Sequence, residues 1–399
     1  MISNPQSLLQ PSTRVPNARQ ALKGFQRLVE PGLEVTCVPR DHLIELHATL
    51  RPLPGESVFE TAHRLEDLLR RYDATMVRHE IFGSLAAWKD LHRGNENEGF
   101  PWPWPVTWVE GKACDSGGIA GMHALAVIGA EVSDVHSHET PVGRVFEDGY
   151  ARHAVLAGIT SDRKAPLEIQ ARQGFERIAT ALAPAGFAMH EVPRTWLFLD
   201  DILSWYGTLN SVRRHFFEEH GLFDHVVPAS TGVGVRNPEG AAMCVGAWAS
   251  KAIAPGFQIA EVLSPMQCPA PAYGSCFSRA VELVAPDWRR VMISGTASIE
   301  PKGASVCGGD MDGQIDLTMQ VVRAILVSRG LDYDDVTRAT AYIRHPADAP
   351  IFADWCRRLG LDHWPLVTTQ AVVCRDELLF EIEVDAMAPT AQHQPPGPS

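Results

Sequence analysis

Glu381, Glu383 and Asp385 stand at alternate positions of the stretch VCRDELLFEIEVDA, residues 373–386. A period of two places these three carboxylates on one face of a strand, with Phe380, Ile382, Val384 and Ala386 on the other. Paired carboxyls can do general acid–base chemistry, because burial and a neighbouring like charge raise the pKa of one of them toward neutrality. They can equally be the wet face of a half-buried antiparallel strand. The choice depends on whether the face looks into a cleft or into solvent, and the elements around it decide that.

The chain has 399 residues, 45% of them hydrophobic and 21% charged, which describes a globular protein able to bury a large core. A net charge of −13 argues against nucleic acid as a partner, since phosphate binding needs a basic face. The N-terminus lacks an apolar stretch of signal-peptide length and no apolar run is long enough to span a bilayer, so a cytoplasmic protein without membrane attachment is expected. Eight cysteines show neither a CxxC pair nor zinc-ligand spacing. His136 and His138, in a polar loop, have no further ligand cluster nearby, and no metal or cofactor is expected.

One pattern repeats. Residues 170–199 and 314–343 each run from a Gln through an amphipathic helix to a Gly stop, at Gly186 and Gly330, and then into a strand. A second helix, a proline-led strand and a closing strand follow in both, and an extended hairpin precedes each. The unit is ββαβαβ-like. A weaker copy covers about residues 33–130, with its second helix poorly defined before FPWPWP. The expected organisation is a flexible segment 1–30, units at 31–140, 141–260 and 261–388, and a disordered tail 389–399. Three such α/β (α+β) units in one chain predict a pseudo-trimer, as a monomer or small homo-oligomer.

The third unit, with VMISGTASI (291–299), AYIRHP (341–346) and VCRDELLFEIE (373–383), resembles the Rid (YjgF) superfamily and, more narrowly, the chorismatases. The central unit shares RTWLFL (194–199) and, more loosely, Tyr206, Asn210 and Arg213 of WYGTLNSVR. The resemblance spans about residues 145–388. It implies three Rid-like βαβ units, no cofactor, and Glu381 as a catalytic acid that protonates the methylene carbon of an enol ether, with Glu383 beside it. The substrate implied is chorismate or a related small carboxylated enol ether, cleaved to pyruvate and a hydroxybenzoate or dihydroxycyclohexadiene carboxylate.

Such a substrate is a dianion, and Arg194, Arg213 and Arg279 are the candidates to grip it bidentately. Tyr206, Tyr273, Cys276 and Cys374 complete the substrate-binding set. The loop that reads YGPRSPSF in chorismatases is here Tyr273-Gly274-Ser275-Cys276-Phe277, shorter and without its Arg. Aligned closing strands set Cys244 and Gly246 opposite Glu381 and Glu383, and offer His123 in the first copy. Only the third copy keeps the carboxylate pair, which predicts one specialised cleft between units two and three. Two rival readings remain. Rid-type enamine/imine deamination needs an Arg two residues after the strand-leading Pro, which PVTW, PAST and PLVT all lack. A non-catalytic ligand-binding protein would keep the fold and lose the chemistry.

Overall fold

The computed structural model describes residues 26–93, 102–111, 118–270 and 274–390. The first unit comprises β1 (Gln26–Glu30), β2 (Leu33–Pro39), β3 (Ile44–Leu50), α1 (Val58–Tyr72), β4 (Thr75–Gly83), α2 (Leu85–Arg93), β5 (Thr107–Glu110) and β6 (Ile119–Ile128). The second comprises β7 (Val132–Ser137), β8 (Thr140–Glu147), β9 (Ala151–Thr160), α3 (Leu167–Leu182), β10 (Arg194–Leu199), α4 (Ile202–Glu219), β11 (Ala229–Gly234) and β12 (Met243–Ala252). The third comprises β13 (Gln258–Val262), β14 (Ala280–Val284), β15 (Trp288–Ala297), α5 (Met311–Ser328), β16 (Val336–Ile343), α6 (Ala349–Arg358), β17 (Leu366–Gln370) and β18 (Phe380–Pro389).

All three sheets share one strand order: β1-β2-β3-β6-β4-β5, β7-β8-β9-β12-β10-β11 and β13-β14-β15-β18-β16-β17. The fourth and fifth strands of each unit run parallel. The sequence pattern misses the leading strand of every unit. β1, β7 and β13 are short, part-exposed edges without clear alternation, and His136 lies on β7 instead of in a loop. The strands of the three sheets span 26–128, 132–252 and 258–389. The remainder of the expected flexible segment, residues 1–25, and the tail from 391 lie outside the described residues.

The shared Gln has a physical reason. Gln170 accepts from Ala242 N (2.7 Å) and Ser161 Oγ (2.9 Å), while Gln314 accepts from Leu379 N (2.8 Å) and donates to Cys307 O (3.1 Å). In both units it ties the first turn of the helix to the start of the closing strand. Gly186 (φ 82°) and Gly330 (φ 73°) make the left-handed stop after α3 and α5, with Phe187 N returning to Leu182 O (3.1 Å) and Leu331 N to Leu326 O (3.0 Å).

Helices cover the outer face of each sheet over separate cores. The inner faces meet one another in a fourth core containing Phe82, Phe146, Trp196, Phe198, Trp248 and Tyr342. β18 is consequently buried on both faces and its carboxylates do not face water: Glu381 is 4% exposed, Glu383 0% and Asp385 4%. The ring closes head to tail. β11 of the second unit packs on β15 of the third, β17 of the third on β6 of the first, and β5 of the first on β9 of the second.

At one pole of the ring three hairpin tips meet. Arg40 of the first unit holds Asp148 of the second (2.8 Å), Asp287 of the third (2.7 Å) and its own Glu45 (2.8 Å). Burial alone would raise the Asp148 carboxyl, but His153 and Arg40 hold it well below the carboxylate range. That pairing stabilises the fold above the ordinary Asp value of 3.8 and is lost as pH falls below it. Arg40→Ala, which removes the cation shared by three buried carboxylates and leaves Asp287 without its ionic partner, is expected to cost about 3–5 kcal/mol of unfolding free energy at pH 7, read by urea denaturation, with the difference shrinking in acid.

Candidate active site

Strand register makes the three units comparable residue by residue. On the fourth strands Arg78, Arg194 and Arg338 occupy one equivalent position, facing Leu125, Trp248 and Asp385 on the closing strands. Two residues back along the closing strands the equivalents are His123, Gly246 and Glu383, and two further back Gly121, Cys244 and Glu381. The expected alignment holds, and only the third unit carries the carboxylate pair.

A β-bulge positions that pair. Ile293 faces Val384 and Thr296 faces Ile382, so Ser294 and Gly295 together oppose Glu383. Gly295 leaves the space that the Glu381 carboxyl fills, since a Cβ there would collide with Oε1. The bulge also joins the units. Ser230 N donates to Ser294 Oγ (2.8 Å), and Gly295 N donates to Thr231 Oγ1 (3.0 Å).

The two glutamates have opposite environments. Glu383 accepts from Arg194 Nη2 (2.6 Å), Thr231 Oγ1 (2.5 Å), Tyr342 Oη (3.2 Å) and Arg338. Burial would raise its pKa, yet Arg338 and Arg194 hold it well below the usual range, as a carboxylate. Glu381 makes no hydrogen bond among the described residues. Burial first, and the Glu383 charge second, push it up to about 8, against the pull of Arg194 and Arg279. At neutral pH it is a carboxylic acid.

Glu381 opens into a cavity of about 560 Å³, mouth included, between the second and third units. Arg213 and Tyr206 of α4 form one wall, Phe277 and Arg279 another, and Cys374 and Arg375 a third. The Arg213 and Arg279 guanidinium carbons lie 5.9 and 5.5 Å from the Phe277 ring centroid. Arg213 is braced by Asn210 (2.7 Å) and its Nε is buried without a partner among the described residues. Arg375 is braced by Gly303 O (2.9 Å). Burial, with Glu381 next, pushes Cys374 up to about 12, so it presents a neutral thiol.

Of the expected site residues, the cavity brings together Glu381, Tyr206, Arg213, Arg279 and Cys374. Arg194 lies elsewhere: wholly buried, it binds Glu383 and Thr231 and is not among the residues lining the cavity. Glu383 lies behind Glu381 instead of in the wall. Cys276 packs in the second unit's core between Ser275 and Phe277, which do line the cavity. Tyr273 lies outside the described residues. Sequence reasoning missed Arg375, although it adjoins Cys374 in the quoted motif, and Ser230, which carried no signal beyond its strand.

The equivalent positions elsewhere are closed. The side chain of Val367 approaches to 2.9 Å of where a Cβ on Gly121 would sit. His123, kept neutral by burial and by Arg338 and Arg78, is spent on Thr49 (3.0 Å) and Thr340 (3.2 Å). A larger opening of about 940 Å³ lies at the strand ends, where Arg236 pairs with Glu110 (2.8 Å) and Arg344 with Asp376 (3.3 Å). Its carboxylates, Glu110, Asp200 and Asp201, stand on no closing strand.

No protein-family model matches the sequence, and no curated protein matches it significantly. Solved structures do. A chorismatase crystal structure superposes with a TM-score of 0.58 at 17% identity, covering 78% of this chain and 93% of that one. The E. coli YjgF gene product (22% identity, TM-score 0.26) covers 29% of this chain and 97% of its own. The protein YJGH (20%, TM-score 0.28) covers 33% and 97%. The molecule is thus an α+β protein of three equivalent units closed into a pseudo-trimer. In particular, its fold is similar to that of the chorismatase. No helix among the described residues is long and apolar enough to cross a membrane.

Keeping Glu381 protonated costs stability. Between the ordinary value of 4.5 and about 8 the folded chain retains a proton that the unfolded chain releases, so stability falls as pH rises through that window. The full difference is on the order of 5 kcal/mol. Glu381→Gln is expected to unfold at higher denaturant than the parent at pH 8 and to converge with it near pH 4. Equal midpoints at both pH values would place the titration elsewhere.

Proposed function

We propose that the chain is a chorismatase-like enzyme that releases the enolpyruvyl group of chorismate, or of a related small carboxylated enol ether, as pyruvate. The observation that carries this reading is the un-ionised Glu381 carboxyl opening into a cavity walled by three arginines. An enol ether is cleaved by adding a proton to its terminal methylene, which becomes a methyl group while the ether carbon becomes an oxocarbenium ion. Glu381 gives that proton and becomes a carboxylate, which Arg194 and Arg279 favour. Water then adds to the cation, and the resulting hemiketal hydroxyl passes its proton to the ring oxygen as that C–O bond breaks, releasing pyruvate and the dihydroxycyclohexadiene carboxylate. If a ring hydroxyl adds instead, the product is a cyclic ketal. Pyruvate then leaves as one ketal C–O bond and one ring C–O bond break, while the ring loses a proton and the oxygen left on it takes one up, giving the hydroxybenzoate. The proton lost by the attacking oxygen restores Glu381.

Arg213, Arg279 and Arg375 fit the two carboxylates of such a substrate, with the Tyr206 hydroxyl as a further donor. The product is a hydroxybenzoate or a dihydroxycyclohexadiene carboxylate. Neither a cofactor nor a nucleic-acid partner enters this scheme, and because the ring closes within one chain a monomer suffices.

Purified protein incubated with chorismate should release pyruvate, with activity falling as pH rises through about 8, where Glu381 loses its proton. Glu381→Gln should abolish release. Arg213→Ala or Arg279→Ala should lower kcat/KM about ten- to a hundredfold, the loss of one charged hydrogen bond of roughly 1.5–3 kcal/mol. No pyruvate from the parent protein removes chorismate as substrate and favours a non-catalytic binder. Turnover retained by Glu381→Gln removes Glu381 as the acid.

A further inference from the structure

The first unit contributes no residue to the cavity wall, yet its charges reach the site along the pseudo-threefold axis. The three equivalent arginines, each at least nine-tenths buried, alternate there with three carboxylates. Arg78 binds Glu80 (2.5 Å) and lies 3.8 Å from Asp385. Arg338 binds the same Glu80 (2.9 Å), lies 3.6 Å from Asp385 and also binds Glu383. Arg194 closes the series on Glu383 (2.6 Å). The cluster balances three positive groups against three negative ones, and Arg338 is divided between the first unit's Glu80 and the third unit's Glu383.

We propose that Glu80 is a positioning residue for the acid: by holding part of Arg338 it limits how far that guanidinium neutralises Glu383, and so maintains the negative charge that Glu383 presents to Glu381. Other groups face Glu381 as well. Arg194 and Arg279 act on it in the opposite sense, Arg213, Arg375, Tyr206 and Cys374 share its cavity, and Tyr342 stands across from it on β16. None of these belongs to the first unit. Glu80 is coupled to them through Arg338 and through Tyr342, which feels both Glu80 and Glu381.

The proposal builds on Glu381 as the reaction's acid, but its test needs no substrate. The C=O stretch of the protonated Glu381 carboxyl, identified as the infrared band that Glu381→Gln removes, is titrated in the full chain. Glu80→Gln should lower its midpoint by about one pH unit, the effect of one added net positive charge at buried-site separations. Arg78→Gln should raise it, because Glu80 then draws more of Arg338 away from Glu383. Glu80→Asp, which keeps the charge, should move it less than Glu80→Gln. A structural role alone gives no such opposition of sign. An unchanged midpoint in any folded Glu80→Gln or Arg78→Gln protein overturns the proposal, as does a band that never titrates in the parent. If Glu80→Gln fails to fold, Arg78→Gln and Glu80→Asp still carry the test. Absence of chorismate turnover with the shifts intact would discard the substrate reading and leave this coupling standing.

Discussion

Everything at the centre of this molecule depends on burying charges in alternation. Arg78, Arg194 and Arg338 occupy one repeated position in three units, and closing the ring forces them to within 3.6 to 5.8 Å of a single ring, that of Trp196. Three guanidinium groups so close together in a dry interior would repel strongly, so Glu80, Glu383 and Asp385 must lie between them. Once Glu383 is held ionised for that purpose, its charge adds to burial, the larger cause, in keeping the Glu381 carboxyl protonated two residues away on the same face.

That constraint also explains the asymmetry of the three interfaces. Each fifth strand meets the third or closing strand of the next unit. Where Gly121 replaces the glutamate, Val367 fills the side chain's space. Where Cys244 and Gly246 replace the pair, Trp196 and Trp248 supply bulk on the inner faces. Thr107 nonetheless still accepts from Gly158 N (3.0 Å), as Thr231 does from Gly295 N. The Thr–Gly stitching is common to both interfaces, while the carboxylate pair is confined to one.

Much of this was legible in the sequence for identifiable reasons. Helix stops at Gly186 and Gly330 and helix-starting glutamines at 170 and 314 are local signals, and they revealed the repeat. Period-two alternation put Glu381 and Glu383 on a common face. It could not say that this face is inner, because a strand buried on both sides by ring closure carries the same pattern as one with a wet side. Arg194 shows the same limit. At the head of an apolar strand it looks like a group waiting for a ligand, whereas its partners are supplied by a strand nearly two hundred residues later. The edge strands β1, β7 and β13 were missed because they are short and polar. Arg375 was hidden by its own neighbours in a motif read for Cys374 and the glutamates.

The same ring closure has a consequence for how the chain is made. Glu45 and Glu80 find their partners Arg290 and Arg338 across separations of 245 and 258 residues. During synthesis, at about 5–20 residues per second, the first unit therefore emerges with its inner carboxylates and apolar inner face uncovered for on the order of ten seconds or more. Over that interval water must solvate what the third unit will later bury. The charged axis that makes the finished interior costly to assemble also lowers the apolar share of the face that the nascent first unit exposes while it waits.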